Sequence, residues 1–330
     1  MKHVIVGGDG FVGRYLAEEL LVRGEEVVVC DVNKSDLEIY RRVSFIELDI
    51  TDRSAFKTMP LDRDDIVYNL AARMLDPILP RWKRREYFWI VNHTGTEHLL
   101  EFLLERECGK LIYFTTDMVY GHMKKTPQDE SHPKEPLGPY GESKNVSEDL
   151  CASYRERGMN ITIFRPRLII GPGRLGVLKK LFWLIEHNLP VPLIGDGSNH
   201  YQFISVFDCV SAALLACDNG VPNEEYNLGS KDPPTVEELL RLLIKAAGKM
   251  SPLLKTPAGL VKQILGALDF VGLPLMDPEQ YLIADEDCVL DISKAETELG
   301  WHPRFRDEDM LCQAYREYKS GKLAAGTVPS

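Results

Sequence analysis

HVIVGGDGFVG, at residues 3–13, joins an apolar run to a glycine-rich turn and to the start of a helical pattern. Gly7 permits a tight turn, Gly10 lets backbone N–H groups approach a pyrophosphate, and Gly13 lets a helix pack closely on the strand. The N-terminus of such a helix carries partial positive charge, which favours phosphates. This stretch therefore predicts a strand–turn–helix unit that binds a dinucleotide.

An acidic residue, Asp31, closes the next apolar run. A carboxylate at this point can accept hydrogen bonds from the adenosine ribose and repels a 2′-phosphate, so it favours NAD over NADP. Arg14 and Lys34 are nearby cations that leave NADP open. The alternative is a turn that merely needs glycines, with Asp31 capping it, but the strand–helix–strand context favours dinucleotide binding.

Other cofactor contacts are predicted at the helix start and at two later strand ends. They are Phe11, Val12, Asp49, Ile50, Leu70, Ala71 and Ala72. Asp49 is placed to hydrogen-bond the adenine amine, and the two alanines leave room for the cofactor.

Apolar runs alternate with helical patterns through the first half of the chain. The runs lie at 3–6, 26–30, 43–48, 66–70, 111–115 and 161–165, and the helical patterns between them at 53–57, 86–107 and 143–157. Strands that are apolar on both faces, with helices between them, indicate a parallel sheet covered on both sides. The predicted fold class is α/β, a Rossmann-type doubly wound parallel sheet.

The pattern changes after Pro166, where Pro and Gly become frequent and helical patterns dominate. These patterns lie at 178–187, 206–217, 236–247, 258–271 and 307–319. We expect an NAD-binding domain at 1–166, to which segments 203–230 and 285–297 return. A smaller, mostly helical substrate domain is expected within 167–320, followed by a disordered tail at 321–330.

A second motif, YGESK at 140–144, places Tyr140 and Lys144 on one helical face. A free phenol has a pKa of about 10, but a neighbouring ammonium and the positive charge of oxidised nicotinamide both lower it. Thr116, at a strand end, offers a hydroxyl to the same substrate oxygen. The set predicts proton transfer to or from an alcohol while hydride goes to the cofactor, with Lys144 also holding the nicotinamide ribose. A surface helix that carries this spacing by chance is the alternative.

Composition excludes several classes of function. Among 330 residues, 39 Lys and Arg face 50 Asp and Glu, and the net charge of −11 argues against nucleic-acid binding. Seven cysteines without a CxxC pair and eight scattered histidines predict neither a disulfide framework nor a metal site. No apolar run reaches the length of a bilayer span, and the chain enters a strand at once, without a signal peptide. We expect a cytoplasmic protein that acts on a small molecule.

The chain resembles the extended short-chain dehydrogenase/reductase superfamily, in its branch of NAD-dependent epimerases and dehydratases. The motifs span nearly the whole chain: GGDGFVG (7–13), NLAA (69–72), TTDMVYG (115–121), YGESK (140–144), RPRLIIGPG (165–173), GDGSNHYQF (195–203), YNLGS (226–230) and LGWHPRF (299–305). The resemblance implies NAD as cofactor and a catalytic hydroxyl at Thr116. It also implies Tyr140 as acid/base with Lys144 as its partner, and a homodimer formed by the helices at 86–107 and 143–157.

Two departures from the family pattern bear on the substrate. Sugar-nucleotide 4,6-dehydratases have Thr-Asp-Glu where this chain has Thr116, Asp117 and Met118. Asp117 can still donate a proton, but Met118 cannot act as a base, which disfavours dehydration. Tyr201 replaces an arginine that pairs with the diphosphate, a charge-assisted contact worth about 1.5–3 kcal/mol. The predicted substrate contacts are therefore Tyr201 and three possible replacements for that arginine, namely Arg167, Arg174 and His200.

Three functions are compatible with these residues. The first is an NAD-dependent epimerase or dehydrogenase that acts on a nucleotide-activated sugar. The second keeps the chemistry but acts on a sterol or other lipid alcohol, because the RPR and GDG segments resemble those of 3β-hydroxysteroid dehydrogenases. The third is a non-catalytic NAD-binding regulator, which the intact Thr116, Tyr140 and Lys144 disfavour.

Overall fold

The apolar runs of the sequence form parallel strands. The computed structural model describes residues 1–75, 77–176 and 178–320. In chain order the strands are β1 Lys2–Val6, β2 Glu26–Asp31, β3 Ser44–Glu47, β4 Ile66–Asn69, β5 Lys110–Phe114, β6 Asn160–Pro166, β7 Leu168–Ile170, β8 Val191–Ile194, β9 Phe203–Ser205, β10 Glu225–Leu228 and β11 Leu253–Thr256. Seven of them form an all-parallel sheet in the order β10-β6-β5-β4-β1-β2-β3. The order reverses between β1 and β4, which leaves a crevice at the carboxyl ends of the strands.

The described residues also form eleven α-helices, some of which cover the two faces of this sheet. They are α1 Phe11–Val22, α2 Arg81–Trp89, α3 Thr96–Glu105, α4 Pro139–Glu156, α5 Leu178–Glu186, α6 Val206–Asp218, α7 Val236–Ala246, α8 Ala258–Phe270, α9 Pro278–Tyr281, α10 Ser293–Glu298 and α11 Asp307–Ser320. A wide helical turn, Ile90–Gly95, joins α2 to α3. Within the described ranges, no helix combines the length and hydropathy that crossing a membrane requires.

Alternate side chains of the central strands enter two cores on opposite faces. Ile5 and Val29 pack in a core with residues of α1 and α6. Their neighbours Val4 and Val28 pack in the other core, with residues of α3 and α4. Burial on both faces is the reason that these strands read as continuous apolar runs. The predicted fold class and the doubly wound parallel sheet are thus confirmed.

A third core lies outside the large sheet. It joins α5, α7 and α11 to the small parallel pairs β7–β9 and β8–β11, through side chains such as Phe182, Leu193 and Leu243. The strand β10, inside the segment 203–230, pairs with β6 of the large sheet. The division into a cofactor domain and a substrate domain stays a prediction, and the predicted disordered tail at 321–330 lies outside the described residues.

Two helices begin earlier than their apolar patterns suggest. The helix predicted from residue 86 begins at Arg81, directly after Pro80, whose extended backbone precedes the helix. The helix predicted from residue 143 begins at Pro139, a first-turn position where the missing N–H of proline costs nothing. Tyr140 therefore lies in the first turn of α4.

Candidate active site

The glycine turn brings the ends of β1 and β4 close together. Gly7 has φ of +79°, and a Cβ there would lie 2.4 Å from the Ala71 backbone nitrogen. A Cβ on Gly13 would lie 2.6 Å from the Gly8 Cα, which is closer than real Cβ atoms approach. Glycine at these positions is what lets α1 start directly against the sheet.

The N-terminus of α1 is open to an anion. Gly10 is its N-cap, and in the described part of the chain no side chain caps this end and no acid lies in its first turn. The backbone N–H groups of Phe11 and Val12 therefore stand in the first turn with the positive end of the helix dipole. These residues fit the pyrophosphate of a dinucleotide.

Two carboxylates line the place expected for the adenosine ribose. Asp31 Oδ2 accepts a hydrogen bond of 2.9 Å from the Asp9 backbone N–H, and burial raises the pKa of Asp31. Arg14 Nε donates to Asp9 Oδ1 at 3.0 Å, and Lys34 Nζ lies 5.0 Å from the centre of the Phe45 ring. Arg14 is thus already paired with Asp9. The Asp31 carboxylate therefore keeps the surroundings of a ribose hydroxyl negative.

The remaining predicted cofactor contacts lie at neighbouring strand ends. Asp49 Oδ1 accepts hydrogen bonds from the Thr51 backbone N–H (2.8 Å) and hydroxyl (2.7 Å). Ile50 is buried against Gly95 in the wide helical turn. Residues 70–72 follow β4 and are partly exposed. All of them occupy the carboxyl edge of the sheet, where the crevice lies.

Tyr140 is enclosed between α2 and the end of β5. Its ring is 3% exposed and meets Phe88 edge-on at 5.5 Å, and its hydroxyl donates to Met74 Sδ at 3.5 Å. Burial raises the pKa of the phenol above its usual value, while a hydrogen bond with the Thr116 side chain opposes the rise. Without a bound cation the phenol therefore holds its proton at neutral pH.

Lys144 lies one turn further along α4 and is fully enclosed. Nζ donates to the Phe114 carbonyl at 3.0 Å and lies 3.4 Å from the Tyr113 hydroxyl. Burial lowers the pKa of this amine to about 7. Among the described residues it forms no hydrogen bond to Tyr140, so the shared helical face does not by itself bring the ammonium against the phenol.

Thr116 and Asp117 follow β5 and lie beside a buried arginine. Thr116 Oγ1 lies 3.3 Å from Asp117 Oδ1, and Asp117 Oδ2 forms an ion pair with Arg167. Arg167 Nε donates to the Gln202 carbonyl at 3.2 Å, and the guanidinium stacks on the Tyr201 ring at 4.6 Å. The structure therefore brings these four predicted residues together with Tyr140.

The other two predicted substrate contacts lie apart from this cluster. The Arg174 guanidinium is 5.9 Å from the centre of the Phe11 ring, and its charge opposes the rise in the pKa of Tyr140. His200 pairs with Asp287 at 3.0 Å on the surface. Arg174 thus remains near the crevice, whereas His200 is held at an exposed loop.

Glu279, in α9, is a site residue that the sequence analysis missed. Its two carboxylate oxygens accept hydrogen bonds of 2.8 Å from the backbone N–H groups of Tyr140 and Gly141. The side chain is buried, and burial raises the pKa of its carboxyl group to about 8. Glu279 thus caps α4 at the turn that carries Tyr140. No local pattern marks it, because its partners are 139 and 138 positions away.

No cluster of His, Cys, Asp or Glu that could hold a metal ion occurs in the described ranges.

Comparison with known proteins identifies a matching family model and a curated relative. The model of the NAD dependent epimerase/dehydratase family matches residues 3–229. A dTDP-D-glucose 4,6-dehydratase of Mus musculus is 31% identical over 259 residues, covering 74% of this chain and 72% of that protein.

Two solved structures are similar over nearly the full length. The UDP-glucose 4-epimerase of Thermotoga maritima, with UDP-glucose, has a TM-score of 0.78 and 25% identity, covering 98% of this chain and 100% of its own. The UDP-glucuronic acid 4-epimerase of Bacillus cereus, in complex with NAD, has a TM-score of 0.77 and 25% identity, covering 97% and 99%.

Proposed function

Because the chain belongs to the NAD-dependent epimerase/dehydratase family, we propose that it oxidises a secondary alcohol of a nucleotide-activated sugar, with Tyr140 as acid/base. If the ketone turns and is reduced on its other face, the net reaction is an epimerisation. If the ketone is released, the enzyme is a dehydrogenase. The observation that carries the proposal is the buried Tyr140 beside Thr116, at the same edge of the sheet as the glycine turn.

NAD is the cofactor of this family, and the residues of the crevice fit it. In our proposal the α1 N-terminus holds the pyrophosphate, Asp31 the adenosine ribose and Lys144 the nicotinamide ribose. Bound NAD would supply a hydride acceptor for the oxidation and a hydride donor for the reduction.

Tyr140 moves the proton in this proposal. Its phenolate takes the hydroxyl proton as the alcohol becomes a ketone, and its phenol returns a proton in the reverse direction. The Thr116 hydroxyl hydrogen-bonds the same substrate oxygen and holds it near the phenol. Lys144, with a pKa of about 7, supplies a positive charge in its protonated form and so favours the phenolate.

The cluster around Asp117 disfavours elimination of water. The Asp117 side chain is engaged in an ion pair with Arg167, so it is not free to contact a substrate as a general acid. Met118 offers no base beside it. We therefore propose epimerase or dehydrogenase chemistry, although relatives of the chain include 4,6-dehydratases.

A lipid alcohol is the second candidate substrate. Arg167 is already engaged by Asp117 and Tyr201, and His200 pairs with Asp287 on the surface. Arg174 lies near the Phe11 ring. A reduced cationic character favours an uncharged substrate. The buried Tyr140 and Lys144 disfavour a non-catalytic regulator, since a binding module needs neither.

Turnover of candidate substrates tests the proposal. The protein is incubated with NAD and UDP- or dTDP-sugars, or with sterols, while reduced cofactor is followed by absorbance and sugar epimers by NMR. We expect turnover of a nucleotide sugar. Oxidation of sterols with no reaction of any nucleotide sugar would replace the first candidate by the second.

A further inference from the structure

An apolar surface lies exposed along α8 and the loop that follows it. The exposed fractions range from 50% to 71% for six side chains, Leu260, Ile264, Phe270, Val271, Leu273 and Leu275. Singly exposed apolar residues are common, but a contiguous patch on a protein surface marks a site of interaction.

Two other helices extend this surface. A Cβ on Gly272 would lie 2.6 Å from Trp82 of α2, so the indole rests on the loop, and 66% of Trp82 is exposed. Lys180 of α5 donates to the Leu275 carbonyl at 3.2 Å. Trp183 lies one turn further along α5 and is also exposed. We call the six side chains together with Trp82 and Trp183 the α8 face.

Positive charge surrounds the α8 face although the chain as a whole is acidic. Arg81 lies 5.3 Å from the centre of the Phe270 ring. It is one of four exposed cations on α2 and α5 that form no ion pair among the described residues, the others being Lys83, Lys179 and Lys180. The sequence from 254 to 276 contains one carboxylate, Asp269, which is buried against Arg84. Glu86 is an exposed acid on α2.

We propose that the α8 face docks on a lipid bilayer that contains anionic headgroups. Tryptophan prefers the headgroup region, where its ring is apolar and its N–H finds a partner. An apolar helix face can enter the boundary between headgroups and acyl chains without crossing the bilayer. The four cations provide attraction to anionic lipids that a net charge of −11 otherwise opposes. This proposal does not depend on the identity of the substrate.

Vesicle sedimentation of the full chain tests the proposal. We expect binding to vesicles of phosphatidylcholine mixed with phosphatidylglycerol, weaker binding to phosphatidylcholine alone, and a loss of binding at high salt. Absence of binding to both compositions, or equal binding to both, contradicts the proposal.

Two sets of substitutions separate the contribution of the apolar side chains of the α8 face from that of the cations around it. The double substitution Phe270→Ser/Leu273→Ser should abolish binding, whereas Val22→Ser/Met250→Ser, at exposed positions outside the α8 face, should not. Each cation near an anionic surface strengthens binding by about fivefold, so Lys83→Gln/Lys179→Gln should weaken it about 30-fold. The matched control is Lys57→Gln/Lys319→Gln. Turnover in solution should stay unchanged in all four variants.

Self-association is the competing explanation for this surface. Sedimentation velocity compares the wild type with Phe270→Ser/Leu273→Ser in the absence of lipid. We expect the same oligomeric state for both. If the wild type associates through the α8 face and binds no vesicles, the face is a contact between copies of the chain and the proposal is wrong.

Discussion

Burial moves the pKa values of Tyr140 and Lys144 in opposite directions, because it disfavours the charged form of each group. The pKa of the Tyr140 phenol rises above its usual value, and the pKa of the Lys144 amine falls to about 7. Near neutral pH the unliganded site therefore holds a protonated phenol and a partly neutral amine. In our proposal, a cation bound beside the phenol favours the phenolate, so base chemistry by Tyr140 would depend on the oxidised cofactor.

The spacing of YGESK predicted this pair, but not the direction of its pKa shifts. The shifts depend on how α4 packs against β5, where Lys144 reaches the Phe114 carbonyl. Glu279 was not predicted from the sequence at all, because only the folded chain brings it to the start of α4. The motif therefore predicted Tyr140 and Lys144 on one helical face, whereas their surroundings and the contact of Glu279 depend on tertiary packing.

We propose that the choice between NAD and NADP depends on Asp31. Removing its carboxylate in Asp31→Ala should weaken NAD binding about 10- to 100-fold, since a hydrogen bond to a charged group contributes about 1.5–3 kcal/mol. Binding of NADP should weaken less, because repulsion of the 2′-phosphate is lost as well. Fluorescence titration with both cofactors measures the ratio, and Asp36→Ala, at an exposed neighbour, is the control. An unchanged preference would refute the role of Asp31.

Glu279 predicts a pH dependence of stability. Its pKa rises to about 8 by burial, with repulsion from Asp277 and Glu142 adding to the rise. The folded state thus binds a proton that the unfolded state releases above about pH 4.5, and this group lowers the free energy of unfolding by about 1.4 kcal/mol per pH unit up to about pH 8. In Glu279→Gln this contribution disappears.

Urea denaturation between about pH 5 and pH 8 checks whether Glu279 lowers the free energy of unfolding as the pH rises. The stability of Glu279→Gln relative to wild type should increase with pH across this window and stay constant above it. Glu86→Gln, at an exposed position of α2, should follow the wild type. A constant difference between Glu279→Gln and wild type at every pH would contradict the raised pKa.

Among the elements, the strands of the central sheet were the most predictable from sequence. Both faces of β1 and β2 are buried, so their apolar runs are uninterrupted and their ends are marked by Gly7 and Asp31. Helix starts were less predictable. Hydrophobic periodicity places the buried face of α4, but the helix begins at Pro139, before the apolar repeat starts. The hydrophobic periodicity of the sequence did not predict the wide helical turn between α2 and α3.

The contact between α1 and β1 depends on Gly13. In Gly13→Ala the new methyl group would lie 2.6 to 2.8 Å from backbone atoms of Gly7 and Gly8, and backbone cannot yield as a side chain does. We expect a loss of about 1–3 kcal/mol in stability and weaker NAD binding. Thermal unfolding and cofactor titration measure both.

Gly259→Ala is the matched control, because nothing lies within 4 Å of a Cβ at that position in α8. It should leave stability unchanged or raise it by up to about 1 kcal/mol. Equal stability of the two variants would mean that the α1–β1 contact is not sterically limited.

At the scale of the whole molecule, we propose a homodimer in which two copies each contribute the helical segments 86–107 and 143–157 to a four-helix bundle. Ile90, in the turn that joins α2 to α3, is 47% exposed and apolar. A charge at this position in Ile90→Asp should convert dimer to monomer in sedimentation velocity. Val22→Asp, on α1, should stay dimeric. A wild type that is monomeric at all concentrations contradicts the bundle.

The central claim is that Tyr140 transfers the proton as hydride leaves the substrate. Stopped-flow absorbance of the reduced cofactor tests it most directly, in single turnovers with the nucleotide sugar that the wild type uses. Tyr140→Phe should bind NAD as tightly as the wild type and form reduced cofactor about 10²- to 10⁴-fold more slowly. Reduction at the wild-type rate in Tyr140→Phe would contradict the claim.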